Sequence, residues 1–137
     1  MLRTNLLHPD ILQALASAGH GSQVLISDGN FPHTTGANHY AKRVFLNLAP
    51  GLLTVTQVLK VITGAIPVES AEVMRTADGS EPPIWDEFRA LLPGLTLQPR
   101  ERFSFYEAAR SPDVCLVIAT GEQRIYANIL LTIGVVV

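Results

Sequence analysis

A chain of 137 residues with one cysteine, a net charge of −2 and 16% charged residues is sized for a single domain, residues 1–137, with a real core. The near-neutral balance gives no sign of a phosphate-backbone partner, and no nucleic acid is expected. The lone Cys115 excludes an intramolecular disulfide, and no apolar run approaches the ~18 residues of a membrane span. Charged residues normally make up about 25% of a soluble domain, so this surface is poor in charge: either the fold is unusually buried or copies of the chain cover one another, and the second is the expectation.

The N-terminal segment MLRTNLLHPD reaches Pro9 and Asp10 too early for a signal peptide, which makes a cytoplasmic location the expectation. His8-Pro9-Asp10 opens a helix, with Pro9 near the first helical position, where its missing N–H costs nothing. Leu12, Leu15 and Ala16 give this helix its apolar stripe, and Gly19 its left-handed cap. His20 then stands at the mouth of a short apolar strand, Gln23–Ser27, and Asp28 at its exit in the Asp28-Gly29-Asn30 turn. A strand of that length spans roughly 17 Å at ~3.3 Å per residue. His20 and Asp28 therefore share a site only if the turn folds His20 back, or if neighbouring chains complete it. Each has two readings. His20 is a general acid/base or a helix-terminal histidine set against the dipole. Asp28 is an acid/base or hydroxyl partner at the carboxyl end of a strand, or an Asx-turn residue bonding its own backbone.

Asn30 to Arg43 reads as a polar loop containing His33 and His39. No cysteine or third nearby ligand completes a zinc set, and the spacing matches no helical pair, so no metal is predicted. A strand follows at Val44–Leu48. Leu53–Ile62 is a helix with Val55, Val58, Leu59 and Ile62 on one side, and Ala71–Thr76 a strand ended by Asp78-Gly79. The next helix runs through Trp85, Phe88 and Leu92 to Pro93-Gly94; Trp85 and Phe88 read as core. Leu95–Pro99 is extended. Glu101–Arg110 is a helix or irregular turn whose Phe103, Phe105 and Tyr106 cannot all face one narrow stripe, so some line a pocket or a subunit contact. Val114–Thr120 reads as a strand covered on both faces. Arg124–Leu131 is a strand or pocket segment; if extended, Tyr126 and Asn128 share a face. The terminal IGVVV is strand, core or interface. The alternation predicts an α/β sheet covered by helices. No internal repeat, dinucleotide fingerprint, phosphate loop or G-x-S-x-G appears.

GHG followed by SDGNFP, and ERFSFYEAA followed by TGEQRIYANILLTIGV, resemble the L-fucose mutarotase and D-ribose pyranase family of sugar-anomer isomerases. The resemblance runs from Leu2 to Val137, loosest between Ala37 and Pro99, and RFSFYE is more similar to the fucose branch. It implies a three-layer αβα domain with a central, mostly parallel sheet, and an isomerase that interconverts the anomers of a monosaccharide by general acid/base ring opening, without a cofactor. It implies that His20 is the proton donor and that Asp28 binds substrate and helps orient the histidine. Arg102, Tyr126, Ala127 and Asn128 would bind the sugar, Ala127 standing where the fucose branch can carry Gly. It also implies a homo-oligomer, commonly a decamer, with sites near subunit contacts. The rival classes are D-ribose pyranase, a sugar-binding module without catalysis, and a structural or regulatory subunit.

Overall fold

Strand β1 (Gln23–Ser27) is buried from Val24 to Ser27, and a strand without a solvent face belongs inside a sheet. The computed structural model, which describes residues 1–137, places it there. The order of elements is α1 (Pro9–Ser17), β1, β2 (Lys42–Phe45), α2 (Val55–Thr63), β3 (Val68–Met74), α3 (Ile84–Leu91), β4 (Leu97–Arg100), α4 (Arg102–Ala109), β5 (Val114–Ala119) and β6 (Ile129–Ile133). All six strands form one sheet in the order β2-β5-β1-β6-β3-β4. The β1–β5, β2–β5 and β3–β4 pairs are parallel, and β6 alone runs against its neighbours β1 and β3.

Alternation along the strands divides the core in two. Val24, Ile26, Leu116, Ile118, Ile129 and Leu131 pack beneath α1, α2 and α3. Leu25, Val117 and Leu130 pack on the other face with Phe105 and Ala109 of α4 and with Phe31, Ala37 and Ala41 of the loop after β1. The result is the three-layer arrangement the resemblance implies, with a mostly parallel central sheet. Trp85 and Phe88 are core residues. No helix is long and apolar enough to cross a membrane.

Most elements fall where the sequence puts them, and the differences have local causes. Pro9 is the first residue of α1, and Nδ1 of His8 accepts the Ile11 N–H. The buried residue of α1 is Ile11, while Ala16 is exposed. Ala18 caps the helix in an extended conformation, and the left-handed glycine is Gly21 (φ 85°) rather than Gly19. The turn into β1 thus runs from Gly19 to Ser22, with His20 and Gly21 at its centre. The second strand begins earlier than Val44–Leu48 because Lys42 and Arg43 already pair with Leu116 and Val117. The Arg43 guanidinium then holds the preceding loop through the carbonyls of His33, Ala37, Asn38 and Ala41. Past β6, Val135–Val137 lie exposed.

With β1 to β5 running one way and β6 the other, the two ends of the strands form two different edges. The carboxyl ends of β1, β3, β4 and β5 and the start of β6 gather at one edge. The amino ends of β1 and β3 and the finish of β6 gather at the other.

Candidate active site

The carboxyl edge is organised by Asp28, only 2% exposed. Its Oδ1 accepts the N–H groups of Asn30 and Phe31, both at 3.0 Å. Its Oδ2 accepts the Ala127 N–H and an Asn128 Nδ2–H, both at 3.1 Å. Asn128 Oδ1 in return accepts the Asp28 N–H at 2.8 Å. A carboxylate offers about four lone-pair positions, and all are taken. Both readings of Asp28 therefore meet in one group: it closes an Asx turn on its own loop, and it clamps the loop before β6. Burial pushes its carboxyl above the ordinary value, opposed by the hydrogen bonds from Asn30, Ala127, Phe31 and Asn128.

The clamped segment is not extended. Tyr126 sits at φ 60°, a conformation costly for a bulky side chain, so strand alternation does not explain why Tyr126 and Asn128 meet. The left-handed turn does so instead. Both line a pocket of about 190 Å³ with Asp28, Asn30, Phe31, Met74, Arg102, Tyr106 and Ile125. Arg102, exposed at the start of α4, donates from Nε to the Tyr106 hydroxyl at 3.2 Å. Its guanidinium carbon lies 5.5 Å from the Phe103 and Tyr106 ring centres. Of the three aromatics of this segment, Phe105 is core, Tyr106 enters the pocket and Phe103 faces solvent. The pocket pairs a cation and hydroxyl groups with apolar walls, as a polyhydroxylated ring with one apolar face requires.

Met74 and Ile125 are pocket walls that sequence reasoning missed. Met74 ends β3 and was open to the rule that ligands gather at carboxyl strand ends; Ile125 carries no comparable signal. Asp28, Arg102, Tyr126 and Asn128 lie together in this pocket. Ala127 contributes its backbone N–H to the clamp.

His20 does not join them. It precedes β1, at the amino edge, with the whole strand between it and Asp28. Its Nε2 lies 2.9 Å from Oε2 of Glu69, and both side chains are about half exposed. His33 is also outside the pocket, with Nδ1 2.9 Å from the Ser27 hydroxyl. No group of three His, Cys, Asp or Glu side chains is arranged to hold a metal.

A larger cavity of about 410 Å³ shares Asn30 with the pocket and is lined by the loops after β1, β2 and β5. Its acid, Glu122, is already engaged: it accepts from the Arg124 guanidinium and from the Val55 N–H at the start of α2. Burial works to raise the Glu122 carboxyl, but Arg124 outweighs it and holds the group below the ordinary value. A Cβ on Gly121 would lie 2.3 Å from the Ala49 carbonyl oxygen, so only glycine fits there and the edge is closely packed.

Over residues 1–136 the chain matches the RbsD / FucU transport protein family. It is 39% identical over 141 residues to D-ribose pyranase of Variovorax paradoxus (strain S110), spanning 98% of each chain. It is 32% identical over 145 residues to fucose mutarotase of Danio rerio, spanning 96% of this chain and 91% of the relative. Its fold matches fucose mutarotase in complex with L-fucose from Streptococcus pneumoniae with a TM-score of 0.85 at 28% identity, over the full length of both. The chain belongs to the RbsD/FucU family.

Proposed function

We propose that the protein is a mutarotase that interconverts the α and β anomers of L-fucose or a similar hexose by acid/base ring opening and reclosure. Its relatives are enzymes named for sugar mutarotation and pyranase activity, which supports anomer chemistry on a sugar. The observation that carries the reading is the pocket in which Asp28 clamps Tyr126–Asn128 opposite Arg102 and Tyr106.

Ring opening removes a proton from the anomeric hydroxyl and delivers one to the ring oxygen; rotation about C1–C2 and reclosure reverse both transfers. The chemistry calls for no cofactor, and general acid–base help is typically worth ~10²–10⁴-fold. His20 is assigned the proton on the ring oxygen. Arg102 and Tyr126 hold sugar hydroxyls, and Ala127 and Asn128 present the backbone against which the ring sits. Asp28 forms the floor and fixes Ala127 and Asn128 where they meet the sugar.

Because His20 stands at the opposite edge, the proposed site takes His20 from a neighbouring copy. Two observations support this. The pocket of one subunit, about 190 Å³, falls below the roughly 300–1,000 Å³ of small-molecule sites, which fits a site completed by a second copy. Tyr40, Phe45, Leu48, Leu52 and Val136 are large, apolar and exposed, as surfaces between copies are. The assembly is proposed as a closed homo-oligomer, a decamer by the resemblance, in the cytoplasm.

D-ribose pyranase is the second reading, favoured by the 39% identity to the Variovorax enzyme; the Arg102–Tyr106 segment favours fucose. Proton NMR saturation of one anomeric signal decides between them. Transfer to the other anomer of L-fucose, lost in His20→Ala, is the expected result. Transfer with D-ribose alone would reassign the substrate, and transfer with neither sugar would leave a binding protein.

A further inference from the structure

His20 is held by a feature that the pocket and its clamp do not explain. In the β3–β6 ladder Val68 pairs with Ile133 and Ser70 with Thr132, so Glu69 is an extra, unpaired residue. Such a bulge re-aims a side chain at the cost of a broken ladder, and here it brings the Glu69 carboxylate 2.9 Å from Nε2 of His20. Both partners are tied to the end of β6. Gly21 donates to the Ile133 carbonyl, Ile133 donates to that of Ser22, and Gly134 donates to that of Pro67. Gly134 packs closely on the bulge, since a Cβ there would lie 3.3 Å from the Glu69 Cβ. The side chains are 58% and 46% exposed, and an ion pair that open contributes little to folding. A distorted strand that adds little stability is better explained by what it does to the imidazole.

We propose that Glu69 is a positioning residue for His20, accepting Nε2–H and leaving Nδ1 as the atom that exchanges a proton with the sugar ring oxygen. This rests on the reading of His20 as proton donor. The hydrogen bond made by one ring nitrogen sets the state of the other. Glu69 can accept Nε2–H from the neutral and the charged ring alike, so only Nδ1 changes protonation. Nδ1–H gives its proton to the ring oxygen as the C1–O bond breaks and the anomeric hydroxyl proton passes to water. On reclosure Nδ1 takes its proton back and water returns the other.

The test compares Glu69→Ala, Glu69→Gln and His20→Ala in anomer exchange, with ¹⁵N NMR of histidine-labelled protein. Glu69→Ala is expected to lower kcat about ten- to a hundredfold, the scale for losing an orienting partner, with KM nearly unchanged. Glu69→Gln, whose amide oxygen still accepts Nε2–H, falls between it and the wild type. The neutral His20 ring is expected as the Nε2–H tautomer in the wild type and as a mixture in Glu69→Ala. An inactive His20→Ala beside a fully active Glu69→Ala with an unchanged tautomer overturns the positioning role alone. A fully active His20→Ala overturns the acid/base reading on which the proposal rests.

Discussion

The two edges of the sheet are built on opposite plans. At the carboxyl edge, one buried carboxylate takes four N–H donors from two loops and leaves no acceptor position free. At the amino edge, one half-exposed histidine meets one half-exposed carboxylate. The first plan suits a wall that must not move when a sugar with many hydroxyls is seated. The second suits a group that must exchange protons and be presented to something outside its own subunit. Dense hydrogen bonding makes Asp28 part of the fold as well as of the proposed site, whereas exposure leaves His20 loosely tied to the fold.

The strongest way to break this contrast is Asp28→Ala. It orphans the buried Ala127 N–H and Asn128 Nδ2–H and removes the side-chain acceptor of Asn30, while the Phe31 N–H keeps the carbonyl of residue 28; each unsatisfied buried group costs about 1–3 kcal/mol. A loss of more than ~3 kcal/mol in urea unfolding is expected, together with loss of activity. His20→Ala should do the reverse, lowering exchange by about 10²-fold or more while leaving the urea midpoint unchanged. A large loss of stability in His20→Ala, or none in Asp28→Ala, would erase the distinction between the edges.

Arg102→Ala sharpens the contrast within the carboxyl edge, because Arg102 lines the pocket without belonging to the clamp. Removing charge-assisted hydrogen bonds to a hydroxyl should raise KM by about tenfold, with stability unchanged. The smallest effect is expected from pH. Burial lowers His33 below its ordinary 6.5, so the unfolded chain binds the proton more readily. His33 therefore contributes stability that is fully present above about pH 6.5 and declines as pH falls below it. Urea midpoints measured from pH 7 downward should fall less in His33→Gln than in the wild type.

Much of the scaffold was legible from local pattern. Val55, Val58, Leu59 and Ile62 lie at helical spacing and form the buried stripe of α2, and Val114–Ala119 reads correctly as a strand covered on both faces. The pocket residues Asp28, Arg102, Tyr126 and Asn128 were legible through motif resemblance more than through periodicity. What was hidden depends on pairing between distant segments. The left-handed Tyr126 leaves no mark in a stretch that reads as extended, and Gly19 and Gly21 are equivalent until the turn is built. Glu69 was invisible for the same reason: a bulge exists only relative to the partner strand. Strand length showed that His20 and Asp28 cannot meet along one straight strand, but it left open a turn that folds His20 back, which only the built turn at Gly21 decides.

The most direct test of a site assembled from two edges of two copies is complementation. Assayed with sugar well below KM, His20→Ala and Arg102→Ala chains are each expected to be poor catalysts; co-expressed and purified as one assembly, they should regain part of the wild-type anomer exchange. The recovery comes from sites that pair an intact His20 of one copy with an intact pocket of another. Activity no greater than the average of the two separate variants would contradict shared sites and return His20 and the pocket to a single chain.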